Sequence, residues 1–218
     1  MSLVTGHLSL ATVHSLPAHF PPDEDGIIPI LEGEWFEDDM VARAREFLRV
    51  TFGEATLNEN LRFLEESLGK DLRGYFVSQF YKDHVQTYKK RPIYWLFQSP
   101  KKGFQCLIYL HRYTRDTVNR VLNRYLREFL SKLRARLEQI EYALASESGS
   151  ARDKTRLRKE SDQLKKTLRE CEDWEREVLL PLAQQRIELD LDDGVKVNYL
   201  KLGAALAPIA GLEAKEED

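Results

Sequence analysis

The stretch YKKRPIYWLFQSPKKGFQCLIYLHRYTRDTVNRVLNRYLR, residues 88–127, decides the fold because two strand patterns are followed directly by the start of a long helix. Aromatic and β-branched residues, which favour strands, are concentrated at residues 93–98 and 104–113. Pro100 and Gly103 interrupt the five residues between these runs, a composition typical of a tight turn. The pattern predicts a β-hairpin with Lys101 and Lys102 at its tip.

Apolar residues that recur every three or four positions predict helices on both sides of this hairpin. Upstream, helices are predicted over residues 34–52, 56–68 and 71–88, the second with Thr56 as N-cap and Glu59 as its capping-box partner. Downstream, residues 117–147 and 151–180 are predicted to form a long antiparallel αα-hairpin, with a flexible tip at residues 146–150. Pro181 is predicted to kink or restart the second long helix. The motif DLDDG at residues 190–194 is predicted to turn into a short strand over residues 195–199.

These elements predict a mainly α protein with a small β-hairpin or sheet, an α+β fold. We divide the chain into an arm or linker at residues 1–33, with a candidate strand at 27–31, and a helical subdomain with the β-hairpin at 34–113. The long helical hairpin occupies residues 114–188. A turn, a short strand and an acidic tail occupy residues 189–218.

Composition favours a soluble cytoplasmic protein, since 42% of the 218 residues are hydrophobic and 32% are charged. No apolar run approaches the roughly 20 residues that a membrane helix needs, and the N-terminus lacks the pattern of a signal peptide. Cys106 and Cys171 are predicted to be buried thiols. We predict no metal site, because the histidines near the N-terminus follow no ligand spacing and DLDDG lacks the order of a calcium loop.

The formal net charge of −3 conceals a strong segregation of charge along the chain. Residues 1–76 contain 14 acids and 6 bases, and residues 172–218 contain 12 acids and 5 bases. Residues 82–136, by contrast, contain 14 bases and 3 acids, a local net charge of +11. Such a division indicates a basic surface suited to a polyanion. The alternative is an ordinary hairpin whose lysines are simply solvated.

Several long motifs also resemble a known family. The motifs KRPIYWLF, FQCLIYLHRYTRDT and RIELDLDDGVKVNYLKLG, in this order between residues 80 and 203, resemble the C-terminal region of the BREX phage-defence adenine-specific DNA methyltransferases, the PglX family. The resemblance implies a DNA context, and S-adenosylmethionine as the cofactor of the full-length family. The Asn-Pro-Pro-Tyr catalytic signature of such enzymes is absent here, as is a glycine-rich turn suited to the cofactor. We therefore predict neither catalytic residues nor a cofactor in this chain, which should be inactive alone.

The sequence favours a non-catalytic DNA-binding module, and cations in and around the hairpin are the candidate phosphate contacts. They are Lys89, Lys90, Arg91, Lys101, Lys102, Arg112, Arg115, Arg120, Arg124 and Arg127. On the first long helix, the last three share with Arg134 a face nearly opposite the apolar stripe. Tyr94, Trp95, Tyr109 and Tyr113 could stack on bases, although aromatics in such positions are more typical of a packed face.

A second hypothesis is an interaction scaffold, in which the helical hairpin binds other proteins of a defence complex or forms a homodimer. A self-contained enzyme has the least support. The sequence contains no nucleophile elbow, metal-ligand cluster or phosphate-binding loop.

Overall fold

The computed structural model describes residues 20–146 and 150–212. Its centre is a three-stranded antiparallel sheet made of β1 (Ile27–Pro29), β2 (Tyr94–Gln98) and β3 (Gln105–Tyr109), in the order β1-β3-β2. Tyr94 is opposite Tyr109 and Gln98 is opposite Gln105, so the predicted hairpin is confirmed. The second strand ends earlier than predicted because Leu110–Arg112 forms a 3-10 turn. The candidate strand in the arm is also confirmed, as an edge strand that ends at a proline.

Four helical segments follow β1: α1 (Met40–Phe52), α2 (Leu57–Leu68), α3 (Leu72–Tyr75) and α4 (Tyr81–Thr87), the last two joined by a wide π-helical turn at Phe76–Phe80. The first helix begins six residues later than predicted, because the Asp39 side chain accepts a hydrogen bond from the Ala42 N–H at 2.9 Å and caps it. The predicted capping box at Thr56 is wrong. Its hydroxyl donates instead to the Phe52 carbonyl at 2.8 Å, since the preceding residues form a 3-10 turn.

The long helical hairpin has two arms, each interrupted by a wide turn. One arm is α5 (Thr117–Arg120), a π-helical turn at Val121–Leu126 and α6 (Arg127–Ala145). The other is α7 (Ala151–Trp174), a π-helical turn at Glu175–Leu179 and α8 (Leu180–Gln185). Pro181 lies in the first turn of α8, directly after the π-helical turn. Leu179 and Leu180 keep helical φ and ψ, so the helix continues into α8 rather than restarting there. Most of the predicted tip, residues 147–149, lies outside the described residues.

The predicted strand at residues 195–199 is wrong, because this segment is helix α9 (Val195–Leu202). The valines at 195 and 197 suggested alternation, yet the buried residues are Asn198, Tyr199 and Leu202, which share one helical face. The Asn198 amide also fixes the preceding turn, donating to the Gly194 carbonyl at 3.1 Å and accepting from the Asp190 N–H at 3.2 Å. The chain then passes the edge of β2, where the Ala207 N–H donates to the Leu96 carbonyl. The predicted acidic tail, from residue 213 onward, lies outside the described residues.

Helices cover both faces of the sheet. Trp95, Phe97 and Cys106 belong to the larger buried cluster, which includes residues of the long helical hairpin, and Leu96 and Leu107 pack toward the π-helical turn that joins α3 and α4. Both thiols are buried, and burial raises the pKa of Cys171 to about 12. In the described ranges, helix far exceeds strand, which confirms the mainly α class. None of the described helices is both long enough and apolar enough to cross a bilayer.

Candidate nucleic-acid interface

Strand pairing places the basic residues of the hairpin at two separate ends. The Leu110 N–H donates to the Ile93 carbonyl at 3.0 Å, so residues 89–91 and 112–115 share the open end of the hairpin. Lys101 and Lys102 are at the opposite end. At about 3.3 Å per residue, β2 and its flanks separate these two ends by roughly 20 Å.

At the open end, Lys89 and Lys90 adopt left-handed backbone conformations with φ of 49° and 64°. Their N–H groups donate to the Gln86 and Val85 carbonyls at 3.0 and 2.9 Å, which ends α4 in the way that a glycine usually does. The side chains of both lysines and of Arg91 are exposed. Among the described residues, none of the three forms an ion pair with a carboxylate.

The hairpin tip is fixed to the long helical hairpin. The Lys101 N–H donates to the Glu170 carboxylate of α7 at 2.5 Å, and a side chain at Gly103 would collide with that carboxylate. Lys102 is also left-handed, with φ of 62°. The ammonium groups of Lys101 and Lys102 have no carboxylate partner in the described part of the chain, and both side chains are exposed. The tip, held to α7 by this hydrogen bond, therefore presents two ammonium groups without a carboxylate partner among the described residues.

The three arginines of α6, Arg127, Arg134 and Arg136, are paired across the long helical hairpin. Arg127 lies 2.7 Å from the Glu175 carboxylate, and Arg134 lies 2.6 Å from Glu172. A face that the sequence predicted to be open to a ligand thus contributes ion pairs between the two arms. Arg120, which is half-buried, has no such carboxylate partner among the described residues.

Three further candidates also have partners within the chain. The Arg112 guanidinium donates to the backbone carbonyls of Asp23 and Glu24. Arg115 and Arg124 form looser ion pairs, 3.7 Å from Glu188 and 3.9 Å from Asp25. The structure therefore divides the ten candidates into two groups. Those whose side chains have neither a hydrogen-bond nor an ion-pair partner in the described ranges are Lys89, Lys90, Arg91, Lys101, Lys102 and Arg120, and those whose side chains have an intramolecular partner are Arg112, Arg115, Arg124 and Arg127.

Lys196 is a basic residue that the sequence analysis missed. Lys196 lies in the first turn of α9. It lines a surface pocket of about 360 Å³ together with Lys89, Lys90, Arg91 and Asp193. Residues 195–199 were predicted to be a strand, and nothing in the sequence indicated that they lie close to the hairpin. The RIELDLDDG motif, by contrast, brings Asp193 to the same place and partly offsets the positive charge.

The aromatic candidates serve as packing residues. Trp95 is buried, the rings of Tyr94 and Tyr109 lie 5.1 Å apart, and the Tyr113 hydroxyl donates to the Ile187 carbonyl at 3.0 Å. His84 is a buried acceptor for the Tyr94 N–H at 3.2 Å, and burial lowers the pKa of its imidazole.

Carboxylates gather near the start of β1, but their contacts are structural. The Asp23 carboxylate accepts hydrogen bonds from the N–H groups of Gly26 and Ile27, and the Tyr125 hydroxyl donates to Asp25 at 2.9 Å. Burial raises the pKa of Asp25. Within residues 20–146 and 150–212, no group of three His, Cys, Asp or Glu side chains is placed to hold a metal ion.

Comparison with known proteins gives two related sequences, while no family model matches the chain. The chain is similar to the adenine-specific methyltransferase BrxX of Escherichia coli O9:H4 (strain HS), with 43% identity over 207 residues. It is also similar to the adenine-specific methyltransferase PglX of Lacticaseibacillus casei (strain Zhang), with 39% identity over 196 residues. These matches cover 88% and 85% of this chain, which itself spans only 17% and 16% of the lengths of the two relatives.

Proposed function

Because this chain is homologous to one segment of the BREX adenine-specific methyltransferases BrxX and PglX, we propose that it is a non-catalytic DNA-binding part of such an enzyme. Six of the ten candidate cations support the proposal, because their side chains have neither a hydrogen-bond nor an ion-pair partner in the described part of the chain: Lys89, Lys90, Arg91, Lys101, Lys102 and Arg120. They lie in the region with the largest excess of basic residues.

The unpaired cations are better placed to bind phosphate than the paired ones. An arginine in a close ion pair must give up or share its carboxylate before it meets a phosphate, and the carboxylate left behind repels the DNA. A solvated lysine has no such competitor, and it releases counterions from the duplex when it binds. We therefore assign the primary phosphate contacts to the six unpaired cations.

Such contacts would position the protein on the duplex, and they would not read its base sequence. Phosphate contacts orient a protein on the duplex, whereas sequence is read at base edges. The two groups of lysines lie roughly 20 Å apart, equal to about six steps of the 3.4 Å phosphate spacing along one strand. A hairpin aligned with the duplex would therefore orient a longer protein on its DNA.

Methyl transfer is not assigned to this chain. The described sheet is entirely antiparallel, and no glycine-rich turn in the described ranges leads from a strand into a helix as a nucleotide-type cofactor site requires. These residues therefore do not fit S-adenosylmethionine. In an enzyme of this family, the reaction would belong to parts outside the matched segment.

The left-handed lysines allow a test that separates charge from folding. Glycine adopts φ > 0 without the steric cost of a side chain, so Lys89→Gly, Lys90→Gly and Lys102→Gly remove cations without straining the backbone. We expect the triple variant to be about as stable as the parent chain in urea unfolding, while its affinity for a DNA duplex falls. The slope of log affinity against log salt should become shallower by about 0.9 for each lost contact.

The matched control is Arg134→Ala with Arg136→Ala, which removes two cations that pair with Glu172 and Glu160. This variant should keep most of the salt dependence of the parent. A triple glycine variant that folds normally and retains both the affinity and the slope would exclude phosphate binding by these lysines.

A specific observation also favours the second candidate function, a protein-interaction scaffold. Tyr142 is 83% exposed near the distal end of the long helical hairpin, where an exposed aromatic is a typical interface residue. If the arm mediates binding to another defence protein or to a second copy of this chain, Tyr142→Arg should abolish that association and leave DNA affinity unchanged. Sedimentation over a range of concentrations distinguishes self-association from a monomer.

A further inference from the structure

A large apolar groove lies on the side of the molecule away from the long helical hairpin. It has a volume of about 890 Å³ and is bounded by α1, α2, the α3 segment with its π-helical turn, and one face of the sheet. Its lining includes Met40, Phe47, Phe52, Leu64, Leu68 and Phe80. Phe47 and Phe52 are 47% and 56% exposed, so aromatic surface is left uncovered by the described residues. A contiguous apolar surface of this kind usually has an occupant.

The first described residue, Phe20, lies at the rim of this groove. The Phe20 ring meets the Phe47 ring edge to face, with centroids 5.7 Å apart, and the Arg43 guanidinium lies 5.0 Å from the centre of the Phe20 ring. Arg43 also donates to the Pro21 carbonyl at 2.9 Å. Phe20 and Pro22 both line the groove. The first described residues of the chain, Phe20 to Pro22, therefore lie at the opening of the groove.

The composition of the segment that precedes Phe20 matches the groove. The first 22 residues contain no Asp, Glu, Lys or Arg, in a chain in which 32% of residues are charged. Large aliphatic residues recur along it, namely Leu3, Val4, Leu8, Leu10, Val13 and Leu16. A segment adapted to remain in water is normally rich in charge and poor in such residues. An uncharged, leucine-containing segment is instead suited to a surface that is itself mostly apolar.

We propose that residues 3–16 bind in the apolar groove of their own chain. Leu8, Leu10 and Leu16 stand 12, 10 and 4 residues before Phe20. Because an extended chain spans roughly 3.3 Å per residue, all three leucines can reach the groove walls from an anchor at Phe20. Tethering also gives the segment an effective concentration in the millimolar range, which a second copy or a free partner does not match at ordinary protein concentrations. This inference is independent of DNA binding, because the groove contains none of the six unpaired cations.

Hydrogen exchange of the full chain, followed by mass spectrometry, tests the proposal. We expect the amides of residues 8–16 to exchange at least tenfold more slowly than their intrinsic rates. Leu8→Asp with Leu10→Asp should return them to within about twofold of those rates, because two buried leucines are replaced by charges. The matched control, Ser9→Asp with Ser15→Asp, introduces the same charge and keeps every aliphatic residue, so it should retain most of the protection. Intrinsic exchange rates in the unmodified chain, or protection that survives the double leucine substitution, would overturn the proposal.

A reciprocal pair of substitutions tests the groove itself. Phe52 lines the groove, whereas Phe63 is outside its lining but nearly as exposed, at 53%. Phe52→Asp should release residues 8–16, and Phe63→Asp should not. Equal effects of the two substitutions would contradict a specific site. Protection that disappears on dilution would also contradict it and would identify a second copy of the chain as the occupant.

Discussion

At the scale of single residues, the sequence located the basic side chains but not their partners. Arg120, Arg124, Arg127 and Arg134 are all found on the first arm of the long helical hairpin, as periodicity predicted. Periodicity within one helix contains no information about the carboxylates of another, so it could not show that Arg127 and Arg134 meet Glu175 and Glu172. Whether an arginine is free to bind a ligand therefore depends on the tertiary structure.

Arg120 and Arg127 should respond in opposite ways to alanine substitution. Arg127→Ala removes the partner of Glu175, so we expect a loss of stability of about 0.5–1 kcal/mol and little change in the salt dependence of DNA binding. Arg120→Ala should cost about 0.5 kcal/mol or less and make the slope of log affinity against log salt shallower by about 0.9. Urea unfolding and fluorescence anisotropy with labelled duplex measure the two quantities. The reverse assignment of effects would show that ion pairing does not decide which cations bind phosphate.

His84 should make stability depend on pH near neutrality. Burial lowers the pKa of its imidazole below the ordinary value of 6.5, and its Nε2 accepts a hydrogen bond from the Tyr94 N–H. Between the folded and unfolded pKa values the unfolded state binds more protons, so stability should fall as pH decreases below about 6.5. His84→Gln keeps an acceptor and cannot be protonated, so its urea midpoint should change less between pH 7.5 and pH 5.5 than that of the parent. Equal pH dependence of stability in the two proteins would show that protonation of His84 does not cause it.

At the scale of elements, local signals predicted the hairpin and the long helices, while long-range contacts set several boundaries. The alternation and turn residues of residues 93–113 are sufficient for a hairpin, because both strands are adjacent in sequence. The start of α1 depends instead on Asp39, which is 2% exposed and lies 2.7 Å from Arg73, 34 residues away. The helical state of α9 depends on burial of Tyr199 and Leu202 against distant elements. The ion pair to Arg73 and the burial of α9 have no local signature, whereas an aspartate directly before an apolar helical repeat is itself a local N-cap signal.

Asp39 should be one of the most sensitive residues for stability. Its carboxylate caps α1 and pairs with Arg73, which also donates to the Leu31 and Gly33 carbonyls, so one ion pair connects α1, α3 and the chain after β1. Asp39→Ala should cost about 3 kcal/mol or more, because it removes a cap and leaves Arg73, largely buried, without its partner.

Asp71→Ala is the matched control for this prediction. Asp71 caps α3 through the Gly74 N–H at 2.7 Å but is exposed and has no ion pair in the described ranges. Its loss should cost about 1 kcal/mol, the usual value of an N-cap. Similar urea midpoints for the two variants would show that the ion pair to Arg73 adds nothing to the cap.

At the scale of the whole molecule, folding redistributes the charge that the sequence segregates. Acids from the ends of the chain pair with the basic middle, as Glu172, Glu175 and Glu188 do with Arg134, Arg127 and Arg115. The net charge of +11 over residues 82–136 therefore overstates the free positive surface. Among the ten candidates, those whose side chains have no partner in the described part lie at the two ends of the hairpin and at Arg120, a division that the linear charge count could not show. The returning arm α7 adds further cations without carboxylate partners there, such as Arg158, Lys159 and Lys166.

The proposed division between DNA binding and chemistry can be tested directly, because this chain is similar to one segment of longer methyltransferases. The chain spans 16–17% of the lengths of its two relatives, and its antiparallel sheet provides no site of the kind that holds S-adenosylmethionine. We expect calorimetry to detect no micromolar binding of the cofactor, and radiolabelled methyl groups not to enter duplex DNA. A longer protein that contains this segment, assayed in parallel, serves as the positive control.

In that longer protein, the triple glycine substitution at Lys89, Lys90 and Lys102 should raise the DNA concentration needed for methylation and leave cofactor affinity unchanged. Micromolar cofactor binding by the isolated chain would contradict the assignment of the chemistry to other parts of the enzyme. An unchanged DNA requirement in the substituted longer protein would contradict the proposed role of the hairpin cations in orienting the duplex.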